Sequence, residues 1–254
     1  LPWLGRTFLA TPRAENGFPR STGKNARNSK SVGGCPLLDL PLSFWRNPTS
    51  PIMEKPHAPS TEKNREPLLA VLRDVFADRR QVLEIGSGTG QHAIHFCAQL
   101  PQLNWQTSDR PDFLPGIHAW LAEAALPNVL PPVEFDVLGP WPKGCYDAVY
   151  SANTLHIMSW PAVEAFFAGL PAVLAPGGLL FIYGPFMVNG RHTSDSNAAF
   201  DQSLREKAPH QGLRDLLVVD ALARQSGLEL VEQRQMPSNN LALLWRMGKA
   251  CAST

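Results

Sequence analysis

The stretch that most constrains the fold of this chain is residues 82–90, Val-Leu-Glu-Ile-Gly-Ser-Gly-Thr-Gly. An apolar run ends in an acidic residue, three glycines follow at alternate positions, and an amphipathic run begins at Gln91. This order predicts a β-strand, a tight turn and an α-helix. Glycine suits such a turn because it accepts positive φ and, without a Cβ atom, lets a ligand approach the backbone. The N-terminus of the following helix offers free N–H groups to an anionic group.

The spacing of the glycines narrows the class of ligand. Dinucleotide-binding folds use G-x-G-x-x-G and P-loops end in G-K-[ST], whereas this loop reads E-x-G-x-G-x-G and lacks a phosphate-binding lysine. It resembles motif I of the class I S-adenosylmethionine (SAM)-dependent methyltransferases, in which the loop wraps the methionine end of the cofactor. A plain strand-to-helix turn without a ligand is the alternative interpretation.

Strands and helices alternate on the C-terminal side of the loop. The pattern predicts strands at 103–109, 133–137, 146–152 and 179–183, with helices at 91–100, 113–125 and 162–174. Such alternation indicates βαβ units, and therefore an α/β fold with a doubly wound, mostly parallel sheet.

The C-terminal part of the chain predicts an antiparallel addition to that sheet. An amphipathic helix ends at Gly227, and two strand-like runs follow at 228–235 and 240–245, joined by Met-Pro-Ser-Asn. So short a connection favours a hairpin at one sheet edge, which makes seven strands in all.

Two polar positions next to these elements each have two interpretations. Asp109 ends the second predicted strand about 20 residues beyond the loop, where an acid can bind both ribose hydroxyls of a nucleoside; it is alternatively a helix N-cap. Asn64 is predicted to cap a helix whose first turn contains Pro67; it is alternatively a cofactor-side residue.

Six short motifs resemble the methyltransferase-like protein 26 family and its bacterial relatives over roughly residues 60–247. They are Asn-Arg-Glu-Pro at 64–67, Leu-Glu-Ile-Gly-Ser-Gly-Thr-Gly-Gln-His-Ala at 83–93, Trp-Gln-Thr-Ser-Asp-Arg at 105–110, Ala-Asn-Thr-Leu-His-Ile at 152–157, Ile-Tyr-Gly-Pro-Phe at 182–186 and Met-Pro-Ser-Asn-Asn-Leu at 236–241. The resemblance implies the class I methyltransferase fold, which is Rossmann-like, with SAM as the cofactor. It supplies no settled methyl acceptor.

The resemblance also implies a set of cofactor-binding residues. Glu84 is expected to contact the methionine ammonium directly or through water, Asp109 the ribose hydroxyls, and Asp136 the adenine amino group. Val137 is expected to offer a backbone N–H to the adenine ring. The loop residues and one residue after the fourth strand complete this set: Gly86, Ser87, Gly88, Gly90 and Asn153.

The catalytic candidates lie at the ends of the fourth and fifth predicted strands, where doubly wound sheets place their ligands. They are Asn153, His156 and Tyr183. His156 has the most suitable pKa for a base, although a packing role is equally open. The chain has Asn-Thr-Leu-His in place of the Asn-Pro-Pro-aromatic motif that resembling amino-group methyltransferases carry, which favours a small-molecule acceptor.

The polar segment 189–212 is predicted to form a lid over the acceptor. Within it a short helix, capped by Ser-Asp-Ser-Asn at 194–197, brings Asn197, Asp201 and Arg205 near the acceptor. Arg205 and Arg214 form a pair that either recognises a carboxylate or is only solvated.

Composition excludes several classes of protein. The net charge of +1 argues against a nucleic-acid binder that relies on a basic surface, and no apolar run reaches the ~18 residues of a membrane span. The four cysteines show no metal-ligand spacing and indicate a reducing, cytoplasmic location. Oligomeric state is not predicted.

Residues 1–52 differ from the rest, and carry seven basic against two acidic residues in a Pro-, Gly- and Ser-rich context. They are predicted to be disordered. Two explanations remain open: a mitochondrial transit peptide, or residues upstream of a natural start at Met53, which we favour. The methyltransferase-like domain is then 53–254.

Two other functional classes remain open. One is a SAM-binding protein without catalysis, regulatory or scaffolding in role. The other is a nicotinamide-dependent oxidoreductase, which the glycine spacing and the terminal hairpin both disfavour.

Overall fold

The computed structural model of the chain describes residues 55–249. The predictions for residues 1–52 and for a start at Met53 lie outside the described residues.

The helices and strands alternate along most of the described chain. The helices are α1 (Pro59–Val75), α2 (Gln91–Gln99), α3 (Leu114–Ala124), α4 (Trp160–Gly169), α5 (Asp195–Lys207) and α6 (Leu216–Gln225). The strands are β1 (Gln81–Ile85), β2 (Asn104–Asp109), β3 (Val129–Glu134), β4 (Tyr146–Ala152), β5 (Leu174–Gly184), β6 (Phe186–Val188), β7 (Arg191–His192), β8 (Arg214–Asp215), β9 (Leu228–Met236) and β10 (Asn240–Met247).

Seven of these strands form one sheet in the order β3-β2-β1-β4-β5-β10-β9. The pairs from β3 to β5 are parallel, and β10 is antiparallel to both β5 and β9. The predicted doubly wound, mostly parallel sheet with a C-terminal hairpin is confirmed. The strand order reverses between β1 and β4, and open α/β sheets bind ligands in the crevice at this point.

The start of the first helix differs from the prediction. α1 begins at Pro59, with Ala58 as its N-cap, so Asn64 and Pro67 lie inside the helix. Pro59 can start a helix because the first helical N–H needs no intrahelical partner. The prediction of Asn64 as a cap was wrong, and its side chain is buried.

The third strand is shifted relative to the prediction of 133–137. β3 contains Pro131 and Pro132 and, within residues 55–249, pairs with β2 alone at the edge of the sheet. An edge strand tolerates proline because one of its sides needs no ladder N–H. Asp136 and Val137 consequently lie in the loop after the strand.

Two further features differ from the sequence prediction. α4 ends at Gly169 and β5 begins at Leu174, with Gly177 at φ +75° inside that strand, whereas the prediction had a helix to 174 and a strand from 179. A small sheet in the order β7-β6-β8 was not predicted. Its strands have two or three residues, too few to show a periodicity.

A hydrophobic core lies on each face of the large sheet. One contains Leu68 of α1 and Phe96 of α2, and the other contains Phe166 of α4 and Val219 of α6. No helix among the described residues combines the length and the apolar character needed to span a membrane.

Trp141 lies in the loop after β3 and packs against α4. Its ring packs edge-on against Phe135, with centroids 4.9 Å apart, and a Cβ atom added at Gly169 would lie 1.9 Å from the indole Cε2. Trp141 therefore packs against both Phe135 and the backbone of α4 at Gly169.

We expect Gly169→Ala to destabilise the protein by about 2 kcal/mol, because the methyl group must displace the Trp141 ring. Helix propensity alone predicts the opposite sign, a gain of up to about 1 kcal/mol. Urea unfolding of both single variants and of the double variant with Trp141→Ala measures the coupling. If Gly169→Ala is equally unfavourable in the Trp141→Ala background, the contact with Trp141 is not the cause.

Candidate active site

A cleft of about 960 Å³ lies at the carboxyl ends of the parallel strands. Its wall includes residues from the glycine loop after β1, from the end of β2, and from the loops after β3 and β4. Because parallel strands end at the same edge of a sheet, segments far apart in sequence meet here. The predicted residues that line the cleft are Gly86, Ser87, Gly88, Asp109, Asp136, Val137 and Asn153.

The three loop glycines have different surroundings, although all have positive φ, at +80°, +59° and +84°. A Cβ atom at Gly86 would lie 2.8 Å from Thr154, and one at Gly90 would lie 3.2 Å from Ile117. At Gly88 no atom lies within 4 Å of the added Cβ position. Gly86 and Gly90 therefore serve close packing, while Gly88 presents open backbone to the cleft.

Glu84 supports the loop from beneath and is buried rather than on the cleft surface. Its Oε2 accepts hydrogen bonds from Ser87 Oγ at 2.8 Å and from Trp105 Nε1 at 3.0 Å. Its Oε1 accepts none within residues 55–249. Burial raises the pKa of Glu84 to about 7, against the opposing effect of these two hydrogen bonds. Ser87 thus stands between Glu84 and the cleft.

Asp109 connects the end of β2 to the glycine loop. Its Oδ2 accepts a hydrogen bond from the Gly88 N–H at 2.7 Å, and its Oδ1 accepts one from the Arg110 N–H at 2.8 Å. Burial raises the pKa of Asp109, although these two N–H groups oppose the shift. Asp109 is not a helix N-cap, because the 3-10 turn Pro111–Phe113 has Arg110 as its N-cap and α3 follows it from Leu114.

Asp136 and Val137 form the part of the cleft that follows β3. The exposed Asp136 accepts a hydrogen bond from the Leu138 N–H at 2.9 Å through Oδ1. Val137 is buried, and among the described residues its own N–H has no hydrogen-bond acceptor. An acceptor oxygen pair beside a free N–H donor is the arrangement expected for an adenine edge.

Of the three catalytic candidates, only Asn153 lines the cleft. Its backbone has φ +57° and its N–H donates to the Tyr183 carbonyl at 2.8 Å. Asparagine tolerates this left-handed conformation better than most residues do.

His156 and Tyr183 are buried away from the cleft. Burial, followed by the nearby charge of Arg214, lowers the pKa of His156 to about 4. The hydroxyl of Tyr183 accepts a hydrogen bond from Asn240 Nδ2 at 2.8 Å, and burial raises its pKa. The structure therefore does not bring either group to the cleft surface.

Arg205 and Arg214, for which carboxylate recognition and simple solvation were both open, have hydrogen-bond partners within the protein. Arg214 donates to the carbonyls of Leu155, Met158 and His210. Arg205 donates to the carboxylate of Asp201 at 3.1 Å. Arg214 therefore joins the loop after β4 to the loop before β8, and carboxylate recognition by the pair is not supported.

The predicted lid segment contributes two residues to the cleft, His210 and Gln211. Asn197 bonds instead to Thr193 and to the Asn239 carbonyl. Burial favours the neutral form of Asp201, but hydrogen bonds from the Leu213 N–H, Arg205 and His192 outweigh it and hold its pKa below the usual range. Closure of this segment over an acceptor stays a prediction.

His92 is a cleft residue that the sequence reasoning did not single out. Its Nε2 lies 2.7 Å from Asn64 Oδ1, and its Nδ1 lies 3.4 Å from the Tyr150 hydroxyl. Burial lowers its pKa to about 3, so the ring is neutral at physiological pH. The signal was its position directly after the glycine motif, on the first turn of α2.

Several solved structures of methyltransferases are similar in fold to this chain. An O-methyltransferase family protein from Burkholderia thailandensis is 20% identical with a TM-score of 0.67, and the alignment covers 76% of this chain and 58% of that one. The SAM-dependent methyltransferase SibL is 21% identical with a TM-score of 0.65, and the alignment covers 75% of this chain and 56% of that one. Human N-acetylserotonin methyltransferase is 16% identical with a TM-score of 0.60, and the alignment covers 75% of this chain and 53% of that one. The fold is thus that of the class I methyltransferases, and this chain spans a little over half the length of these proteins.

A sequence profile assigns the chain to a family. The profile described as "protein of unknown function (DUF938)" matches residues 55–247, and the chain belongs to this family.

We expect the buried carboxyl of Glu84 to make stability depend on pH. Its pKa rises from 4.5 to about 7 on folding, so between these values the folded state holds a proton that the unfolded state has lost. The free energy of unfolding should therefore fall as pH rises through this range. Relative to Glu84→Gln, the free energy of unfolding of wild type should fall by about 2 to 3 kcal/mol between pH 5 and pH 8, as measured by urea unfolding.

Glu229→Gln, on the exposed surface of β9, is the matched control. It should follow the wild-type pH dependence. A Glu84→Gln variant that also follows the wild-type curve would contradict the raised pKa.

Proposed function

We propose that this chain is a SAM-dependent methyltransferase that acts on a small-molecule acceptor. The observation that carries the proposal is the meeting, in one cleft, of open left-handed backbone at Gly88, a carboxylate at Asp109 and a free N–H at Val137. The fold is consistent with this function but leaves the chemistry open, because similar folds carry different activities.

The residues fit the parts of the cofactor in order along the sheet. Gly88 leaves room for the methionine end against the loop, with Glu84 below Ser87 as the nearest buried acid. Asp109 stands where ribose hydroxyls can donate to it. Asp136 and Val137 present an acceptor and a donor to the adenine. When bound, SAM supplies an activated methyl group on its sulfonium.

The size and charge of the cleft favour a small acceptor. A volume of about 960 Å³ is near the top of the ~300–1,000 Å³ range for small-molecule sites, so a second small molecule fits beside the cofactor. The charged side chains of the wall are Asp109, Asp112, Asp136 and Arg110. This excess of carboxylates favours an uncharged or cationic acceptor over an anionic one.

The chain's contribution to the reaction is alignment. A methyltransferase mainly has to hold the acceptor in line with the methyl carbon and, where required, remove a proton. Asn153 is placed to orient an acceptor, since its backbone is fixed by the Tyr183 carbonyl. The resemblance of the motifs to the methyltransferase-like protein 26 family supports the same assignment and names no acceptor.

A SAM-binding protein without catalysis is the second candidate. The observation that favours it is that neither His156 nor Tyr183 reaches the cleft surface, while His92 has a strongly lowered pKa. Release of S-adenosylhomocysteine (SAH) from SAM in the presence of metabolite extracts separates the two candidates, because only the enzyme produces it.

Calorimetric titration of the full chain with SAM, SAH and NAD tests cofactor binding. We expect wild type to bind SAM and SAH and to ignore NAD. Gly88→Arg should weaken the binding of SAM and of SAH by at least about 100-fold, because the arginine side chain fills the space where the ligand approaches the backbone. Gly177→Arg is the matched control, since Gly177 also has positive φ and no atom within 4 Å of an added Cβ position.

Gly177→Arg should bind like wild type, which separates occupation of the cleft from backbone strain. Binding of NAD alone, or of no nucleoside at all, would overturn the proposed function and leave only the fold.

A further inference from the structure

One wall of the cleft comes from outside the sheet. Residues 55–58, here called the strap, precede α1 in a conformation that is neither helix nor strand. Pro56 and Ala58 of the strap line the same cleft as Gly88 and Asp109. The cofactor motifs contain none of these strap residues.

The strap is attached to α3 through Trp120 and Gly116. The indole Nε1 of Trp120 donates to the Pro56 carbonyl at 2.6 Å. Lys55 Nζ lies 3.6 Å from the centroid of the same ring and 2.6 Å from Glu123 Oε2. A Cβ atom at Gly116 would lie 2.5 Å from Cγ of Pro56, so the proline ring rests directly on the helix backbone.

A second attachment joins the strap to the glycine loop. The Ala58 N–H donates to Gln91 Oε1 at 2.7 Å, and the Thr89 hydroxyl donates to the same oxygen at 2.9 Å. Gln91 is buried, and its Nε2 donates to Glu62 Oε1 of α1 at 3.0 Å. One side chain therefore couples the strap, the glycine loop and the first helix.

These contacts give the strap a defined position although it has no ladder or helix of its own. We propose that Trp120 and Gln91 are positioning residues for the cofactor, which hold the strap as a wall of its site, and that the strap must detach before the cofactor leaves. This inference rests on the proposed function, since it concerns the same cleft. Trp120 acts through Pro56 and is absent from the cleft wall.

The dissociation rate of SAH tests the inference directly. Labelled SAH bound to the full chain is chased with excess unlabelled SAH, for wild type, Trp120→Phe and Trp160→Phe. Trp120→Phe keeps an aromatic ring for Lys55 and loses one hydrogen bond, so the rate should rise about five-fold. The matched control loses an equivalent bond, from Trp160 Nε1 to Glu164 Oε1 at 2.8 Å on α4, and should keep the wild-type rate.

Amide hydrogen exchange gives a readout that a purely structural role of Trp120 would not change. SAH should slow exchange in the peptide covering residues 57–62 of wild type, and slow it less in Trp120→Phe. Thermal unfolding of both tryptophan variants without ligand shows whether any loss of stability is shared.

The outcomes separate the two proposals. If SAH does not bind wild type, the proposed cofactor fails. If SAH binds but leaves wild type at the same rate as Trp120→Phe, or if Trp160→Phe accelerates release equally, the role of the strap is overturned while the cofactor stands. The role of the strap is also overturned if SAH leaves the amide exchange rate of residues 57–62 unchanged in wild type.

Discussion

The docking of the glycine loop onto the end of β2 is the interaction on which the rest of the cleft depends. The N–H groups of Gly86 and Ser87 both donate to the Ser108 carbonyl, and Gly88 donates to Asp109. The turn therefore extends the contact between β1 and β2 beyond the ladder itself. Because the Gly88 N–H fixes the direction of the Asp109 carboxylate, the loop and this acidic side chain are held together. Burial raises the pKa of Glu84 beneath this unit to about 7, so that ionisation of Glu84 above that pH lowers stability.

The elements that the sequence predicted well are those whose pattern reflects burial on both faces. β1 and β4 are mostly apolar because they lie in the middle of the sheet. The bounds of β3 were predicted less well, because Pro131 and Pro132 are unusual in a strand. β3 tolerates these prolines because it lies at the edge of the sheet. The start of α1 was wrong because Asn64 and Pro67 imitate a helix start, while Pro59 and Ala58 supply the real one. Local propensity alone does not distinguish these two helix starts, because the packing of the whole helix determines where it begins.

Residues of the candidate site also differ in how far the sequence could predict their positions. The glycine loop, Asp109 and Asp136 lie at or just after the ends of β1, β2 and β3, and parallel strands bring such positions to one edge of the sheet, where all three line the cleft. The directions of His156 and Tyr183 depend on packing against distant elements, through Phe200 of α5 and Asn240 of β10. No spacing along the chain encodes those contacts. The strap and His92 likewise enter the cleft through partners far away in sequence, among them Trp120 and Asn64.

The prolines of β3 also bear on how copies of this protein can meet. An edge strand is a template for pairing with another chain through its unused N–H and C=O groups. Pro131 and Pro132 have no N–H to offer, so the β3 edge cannot extend the sheet by regular strand addition. The opposite edge, β9, exposes Glu229 and carries an ion pair between Arg234 and Glu232. Among the described residues, one border of the sheet therefore lacks N–H donors at two positions and the other presents charged side chains, and both features disfavour regular strand addition by a second molecule.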